Sequence, residues 1–295
     1  MNALQLQVVL AHKCLLGEGP VWDDERKTIL WIDILKGEIH EFNTKENSHK
    51  VLPVHELIGS LALCQDGNFV AAVESGFVFI NRTNGEIKSI ANPEVHRLDN
   101  RFNEGKCDPA GRFLAGTMSL FKKPNQGSLY ALESNQSVTK KISGLSVPNG
   151  MAWSGDRQTF YHIDTPTGEV ISYQYDCQTG NIRGGETVIR IPLQDGLPDG
   201  MTIDSEGMLW IAHWNGWQIT RWNPGNGKKI LHVSLPVANV TSCTFGGDDL
   251  QDIYITTASA NLTEEEMRKQ PLAGSLFVIK NSGYIGMKAF EFNGA

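Results

Sequence analysis

The stretch Pro20–Asp33, PVWDDERKTILWID, holds a short apolar run, a polar turn and a second apolar run rich in β-branched and aromatic residues. That is the sequence signature of a β-hairpin. The pattern returns in Met151–Asp164, MAWSGDRQTFYHID, and in Cys243–Thr256, CTFGGDDLQDIYIT. Three tighter versions turn on glycine: Leu61–Val73 around Asp66 and Gly67, Cys107–Thr117 around Gly111, and Met201–His213 around Gly207. Glycine there supplies the positive φ that a tight hairpin needs.

After each hairpin a glycine opens a third apolar run, at Gly37, Gly76, Gly127, Gly168, Gly216 and Gly274. A fourth, more polar strand follows in most units, as in His49–Val54, Thr187–Ile191 and Lys229–Leu235. Six units of four antiparallel strands, repeating about every forty residues, predict an all-β, six-bladed β-propeller. A chain of 295 residues is long for one ordinary core. A propeller spreads its core along the repeats, so one domain over residues 1–295 is expected.

An open sheet edge is a liability. The alternating segment Leu4–Leu10, LQLQVVL, is therefore expected to close the ring as the outer strand of the blade that begins at Thr241. Thr263–Lys269, TEEEMRK, reads as one or two helical turns, with Thr263 as cap and Glu266 three residues on. The insertion Ser119–Gln126, SLFKKPNQ, is expected to act as a lid, with Phe121 as an apolar wall.

Bulk composition narrows the function. With 40% hydrophobic and 20% charged residues, the chain reads as a soluble globular protein. The net charge is −7 and Lys and Arg are scattered, which argues against a nucleic-acid partner. No run approaches the roughly 18 apolar residues of a membrane span. Met1–Lys13 lacks a basic region followed by a cleavable apolar segment, so the reading is cytoplasmic. The five cysteines are widely spaced, without a C-x-x-C pair, and read as small buried hydrophobes. The eight histidines show no ligand spacing, and His162 and His213 read as packing residues at the ends of second strands. G-x-S-x-G, H-E-x-x-H and Walker A motifs are absent. The oligomeric state stays open between a monomer and a small homo-oligomer.

When the six hairpins are aligned, one position recurs just before each innermost strand. Glu18, Gly59, Asn103, Asn149, Asp199 and Thr241 fill it, at steps of 41, 44, 46, 50 and 42 residues. Innermost strands line the central channel, so these positions should ring one end of it. Two carboxylates and an amide oxygen, from Glu18, Asn149 and Asp199, suit a hard divalent cation whose charge the acids balance. Gly19, Gly150 and Gly200 follow those three and would let the backbone approach a bound group. The competing reading is that they are turn dipeptides. Arg101 and Asn103 lie two apart on an extended segment and share a face suited to a hydroxyl-rich or anionic substrate, while alternation turns Glu104 the other way.

The motifs LGEGPVW (Leu16–Trp22), NRFNEGKCDPAGRFLAGTM (Asn100–Met118), VPNGMAW (Val147–Trp153), LPDGMTID (Leu197–Asp204) and TSCTFGG (Thr241–Gly247) resemble the regucalcin/gluconolactonase/luciferin-regenerating-enzyme family over nearly the whole chain. The resemblance implies a six-bladed propeller that opens sugar (aldono-) lactones with one divalent cation. Ca2+ or Zn2+ is the first expectation, and Mg2+, Mn2+ or Fe2+ the next. It implies Glu18, Asn149 and Asp199 as metal ligands and Asp199 as the proton-transferring residue. Arg101 and Asn103 become the substrate-binding residues, with Glu104 beside them. Animal members carry an acid where Phe121 stands and Asp where Glu104 stands, and both places bear on which sugar is bound. Two other readings use the same site: phosphotriester hydrolysis, and a non-catalytic calcium-binding propeller.

Overall fold

The computed structural model describes residues 4–294. Its strands form six four-stranded antiparallel sheets. Blade one comprises, from the axis outward, Gly17–Asp23, Thr28–Asp33, Glu38–Asn43 and Ser48–Pro53. The innermost strands of the other five are Ile58–Leu63, Asn100–Cys107, Pro148–Trp153, Leu197–Ile203 and Val240–Gly246. Each innermost strand packs against those of the blades before and after it, which closes a ring. The strand Leu6–Leu10 completes blade six by pairing with Leu276–Ile279, so the expected closure is observed. No helix among the described residues is long and apolar enough to cross a membrane.

Alternation along the strands puts one apolar face on each neighbouring blade. Ile32 and Ile39 of blade one thus pack with Leu61, Phe69 and Val78 of blade two, and Trp210 and Ile219 of blade five with Phe245, Ile253 and Phe277 of blade six. All of the third-strand glycines but Gly168 answer a space requirement. A side chain at Gly127 would run into the Thr117 carbonyl of the adjacent strand. The short helix is Glu264–Lys269, and Thr263 and Glu266 form the expected reciprocal cap.

One feature recurs in every blade. Each innermost strand carries a register shift near its start: Glu18/Val21, Ile58/Ser60, Phe102/Gly105, Pro148/Met151, Pro198/Met201 and Val240/Ser242. An extra residue in one strand bends it and re-aims its side chains. These bulges fall at the six ring positions, at one mouth of the channel. The other mouth is crossed by the C-terminal run, where Ile285 accepts from the Ser205 N–H and Phe292 bonds to Leu63 and Gln65. Met287–Phe290 line the channel from that side.

Candidate active site

Glu18, Asn149 and Asp199 lie within strands, so the turn-dipeptide reading is set aside. All three are buried, as are Asn103 and Glu104. Two clamps fix the approach to the mouth. The Asp33 carboxylate accepts the Leu15 and Leu16 N–H groups at 2.7 and 3.1 Å, just before Glu18. Asp164 accepts those of Ser146 and Val147 at 3.0 and 2.7 Å, just before Asn149.

The glycines that follow the three residues do a different job from the one expected. A Cβ at Gly150 would sit 2.6 Å from Met201 Cβ, and one at Gly200 would overlap the Ser242 hydroxyl. Both therefore admit the inner strand of the next blade. Gly19 alone has room for a Cβ, which would meet only Ile32 at 3.9 Å, and a left-handed backbone, at φ +52. The remaining ring positions are also used for packing. Gly59 lies against the Phe102 carbonyl, and the Thr241 hydroxyl donates to the Gly17 carbonyl at 2.6 Å.

The Asn149 amide is held in one orientation. Its Nδ2 donates to Thr165 Oγ1 at 2.9 Å, and that hydroxyl donates to the Pro198 carbonyl at 2.8 Å. Asn149 Oδ1 is then buried with no hydrogen-bond partner among the described residues. Thr165 lies in a short 3-10 turn after the second strand of blade four, and no local sequence pattern marked it.

Electrostatics point the same way. Burial raises the Glu18 carboxyl well above its ordinary value, and the charges of Asp199 and Glu104 add to this. Burial likewise raises Asp199, followed by the charge of Glu104, with the Asn149 amide, the Gly200 N–H and Arg101 opposing. Burial lowers the Arg101 guanidinium to about 10, against the pull of Glu18 and Asp199, so it remains charged at neutral pH. Two buried acids facing one guanidinium, a third acid acting on both of them, and an unpartnered amide oxygen beside them are an environment for a divalent cation. Those donors are oxygens of the kind such a cation takes, so the residues fit it.

Arg101 Nη1 donates to Asn103 Oδ1 at 2.9 Å and to the Phe102 carbonyl at 2.7 Å, and Asn103 Nδ2 donates to the Pro148 carbonyl at 3.0 Å. The expected turning-away of Glu104 is corrected by the bulge at Phe102/Gly105, which breaks simple alternation. Glu104 lines the channel together with Lys106, and its charge acts on both Glu18 and Asp199. Lys106 Nζ bridges the channel below, donating to the Met151 and Met201 carbonyls at 3.1 and 2.8 Å. Phe121 is 67% exposed on the loop after Ser119, with Lys123 Nζ 5.5 Å from its ring centroid. His162 and His213 are buried as expected, and Cys14, Cys64, Cys107 and Cys243 are buried free thiols.

Buried acids and an amide oxygen at one mouth of a channel covered at the other define a β-propeller with an axial polar site. The sequence model of the SMP-30/Gluconolactonase/LRE-like region matches residues 16–259, and the chain belongs to that family. It is 39% identical over 274 residues to YvrE of Bacillus subtilis (strain 168), named as a sugar lactone lactonase, covering 92% of this chain and 94% of that one. It is 36% identical to regucalcin of Xenopus laevis over the full length of both. A solved luciferin-regenerating enzyme superposes with a TM-score of 0.93 at 29% identity, over 99% of this chain and 100% of the other.

Proposed function

We propose that this chain hydrolyses aldonolactones such as gluconolactone, using one divalent cation, Ca2+ or Zn2+, held by Glu18, Asn149 and Asp199. The observation that carries the reading is Asn149 Oδ1, buried and unpartnered beside two acids whose protonation burial favours. Lactone hydrolysis agrees with the family match and with the name of the Bacillus relative.

A bound cation supplies Lewis-acid polarisation of the lactone carbonyl and stabilises the charge that develops on its oxygen. Asp199 takes a proton from the attacking water as the water oxygen bonds to the acyl carbon. The bond from that carbon to the ring oxygen then breaks, and Asp199 returns the proton to the ring oxygen, leaving the open hydroxy acid. Burial, and after it the charge of Glu104, raise the proton affinity of the Asp199 carboxylate. Arg101 and Asn103 orient the sugar hydroxyls, and Glu104 accepts from the sugar on the channel side.

The test is turnover on a panel of aldonolactones by wild type and Asp199→Asn, with cation occupancy measured directly. The variant keeps the size and one ligand oxygen but cannot take a proton. Its kcat should fall by about 10²–10⁴ at full occupancy. Near wild-type kcat would remove Asp199 from the role of base.

A further inference from the structure

Three histidines far apart in sequence meet away from the axis. His12 and Cys14 lie on the segment joining the closing strand Leu6–Leu10 to the inner strand of blade one. Glu38 and His40 lie two apart on the third strand of blade one, and His49 on its outer strand. One ligand-type atom from each of His12, Cys14 and His40 falls within 4.8 Å of the others. His40 Nε2 is 4.0 Å from Cys14 Sγ and 3.5 Å from Glu38 Oε2.

Two observations separate this cluster from ordinary packing. His12 Nε2 and Glu38 Oε2 are each buried with no hydrogen-bond partner among the described residues. Buried polar atoms are seldom left so, and these two residues flank the same imidazole: Glu38 Oε2 lies 3.5 Å from His40 Nε2, and the His12 and His40 ring centroids are 4.8 Å apart. The surroundings also have the form of a ligand shell. His40 Nδ1 shares a hydrogen bond with His49 Nε2 at 3.1 Å, which frees Nε2 to bind when Nδ1 holds the proton. Trp31 Nε1 donates to Cys14 Sγ at 3.4 Å, and the Trp31 and His40 rings stack at 4.9 Å.

We propose that His12, Cys14, Glu38 and His40 form a second metal site, for Zn2+ or a similar borderline dication, which clasps the ring closure to blade one. Two imidazoles, a thiolate and a carboxylate carry two negative charges, which match the ion. Sulfur and nitrogen donors select zinc over calcium. Tetrahedral zinc bonds of about 2.0–2.3 Å place ligand atoms about 3.3–3.6 Å apart, so the atoms of His12, Cys14 and His40, within 4.8 Å of one another, draw in by up to about 1 Å, and the Glu38 carboxylate, 3.5 Å from His40 Nε2, turns in to join them. Binding releases the Cys14 thiol proton to solvent. The ion would tie the segment that follows the closing strand of blade six to the third strand of blade one.

Co2+ serves as the probe, because a thiolate ligand gives a near-ultraviolet charge-transfer band that an all-oxygen axial site cannot give. Metal-stripped wild type titrated with Co2+ should develop this band together with visible bands of tetrahedral strength. Glu18→Gln, which alters only the axial site, should keep them. Cys14→Ser should lose the charge-transfer band. His12→Gln, at a half-buried position, should weaken Zn2+ binding by about 10–100-fold in competition with a chromophoric chelator. Co2+ saturation without a sulfur band, or an unchanged band in Cys14→Ser, would overturn the proposal. Unchanged zinc affinity in His12→Gln would do the same if the serine variant fails to fold.

Discussion

At Asn149 the orientation of one amide decides what the axial site can hold. Thr165 accepts from Nδ2 and so leaves Oδ1 as the buried, free acceptor. Thr165→Val keeps the shape of the side chain and removes that partner, and it also frees the Pro198 carbonyl. Supporting residues of this kind commonly change metal affinity by 10–100-fold. Thr165→Val should therefore weaken cation binding by about that factor, read by calorimetric titration of the stripped protein. Affinity equal to wild type would mean that the amide needs no support. Glu18, Asn149 and Asp199 were legible because the repeat register isolates them. Thr165 was not, since its role depends on a contact between blades four and five that no local pattern encodes.

Between elements, Arg82 joins blade two to blade one. It reaches from the turn after Gly76–Ile80 to Asp23 at 2.5 Å and Glu41 at 2.9 Å, and all three side chains are largely shielded from water. Removing one partner of a buried pair leaves the other charge uncompensated. Arg82→Met keeps the aliphatic stem and should cost about 3–5 kcal/mol in denaturant unfolding. A loss below about 1 kcal/mol would show that the acids regain water, as exposed pairs do. The hairpins and third strands were readable because alternation and turn glycines are local signals, as in Leu61–Val73. The six inner-strand bulges were not. They arise where neighbouring blades crowd one another, and they are why Glu104 turns into the channel rather than away from it. The C-terminal run also left no trace, because Ile285–Phe292 covers the channel through scattered single bonds rather than a periodic strand. The cluster of His12, Cys14 and His40 was invisible for a related reason: its members are brought together only by closure of the ring.

For the molecule as a whole, buried imidazoles tie stability to pH. Burial lowers His162 and His213 from the ordinary 6.5 to about 4; for His213, Asp195 pulls upward and Lys229 downward. The unfolded chain takes up these protons first as pH falls, so each histidine withdraws stability between about pH 6.5 and 4 and has no further effect below that. The slope is at most about 1.4 kcal/mol per pH unit for each residue. The axial carboxylates, raised by burial, act with the opposite sign, so the informative quantity is the difference between wild type and His162→Leu. That difference should shift steadily toward the variant across the window. A difference independent of pH would mean that His162 becomes protonated in the folded protein as readily as in the unfolded chain.

The proposed catalysis depends on a cation at the axis of the ring, and turnover of an aldonolactone by protein stripped of metal, with its metal content verified, tests this most directly. The Cys14→Ser background removes the second site from the comparison. Turnover should vanish on stripping and return when a divalent cation is added back. Glu18→Gln should need a higher cation concentration for the same recovery, since a full charge is lost beside the ion. Full turnover by verified metal-free protein would contradict the assignment of Glu18, Asn149 and Asp199 as the cation ligands on which catalysis depends.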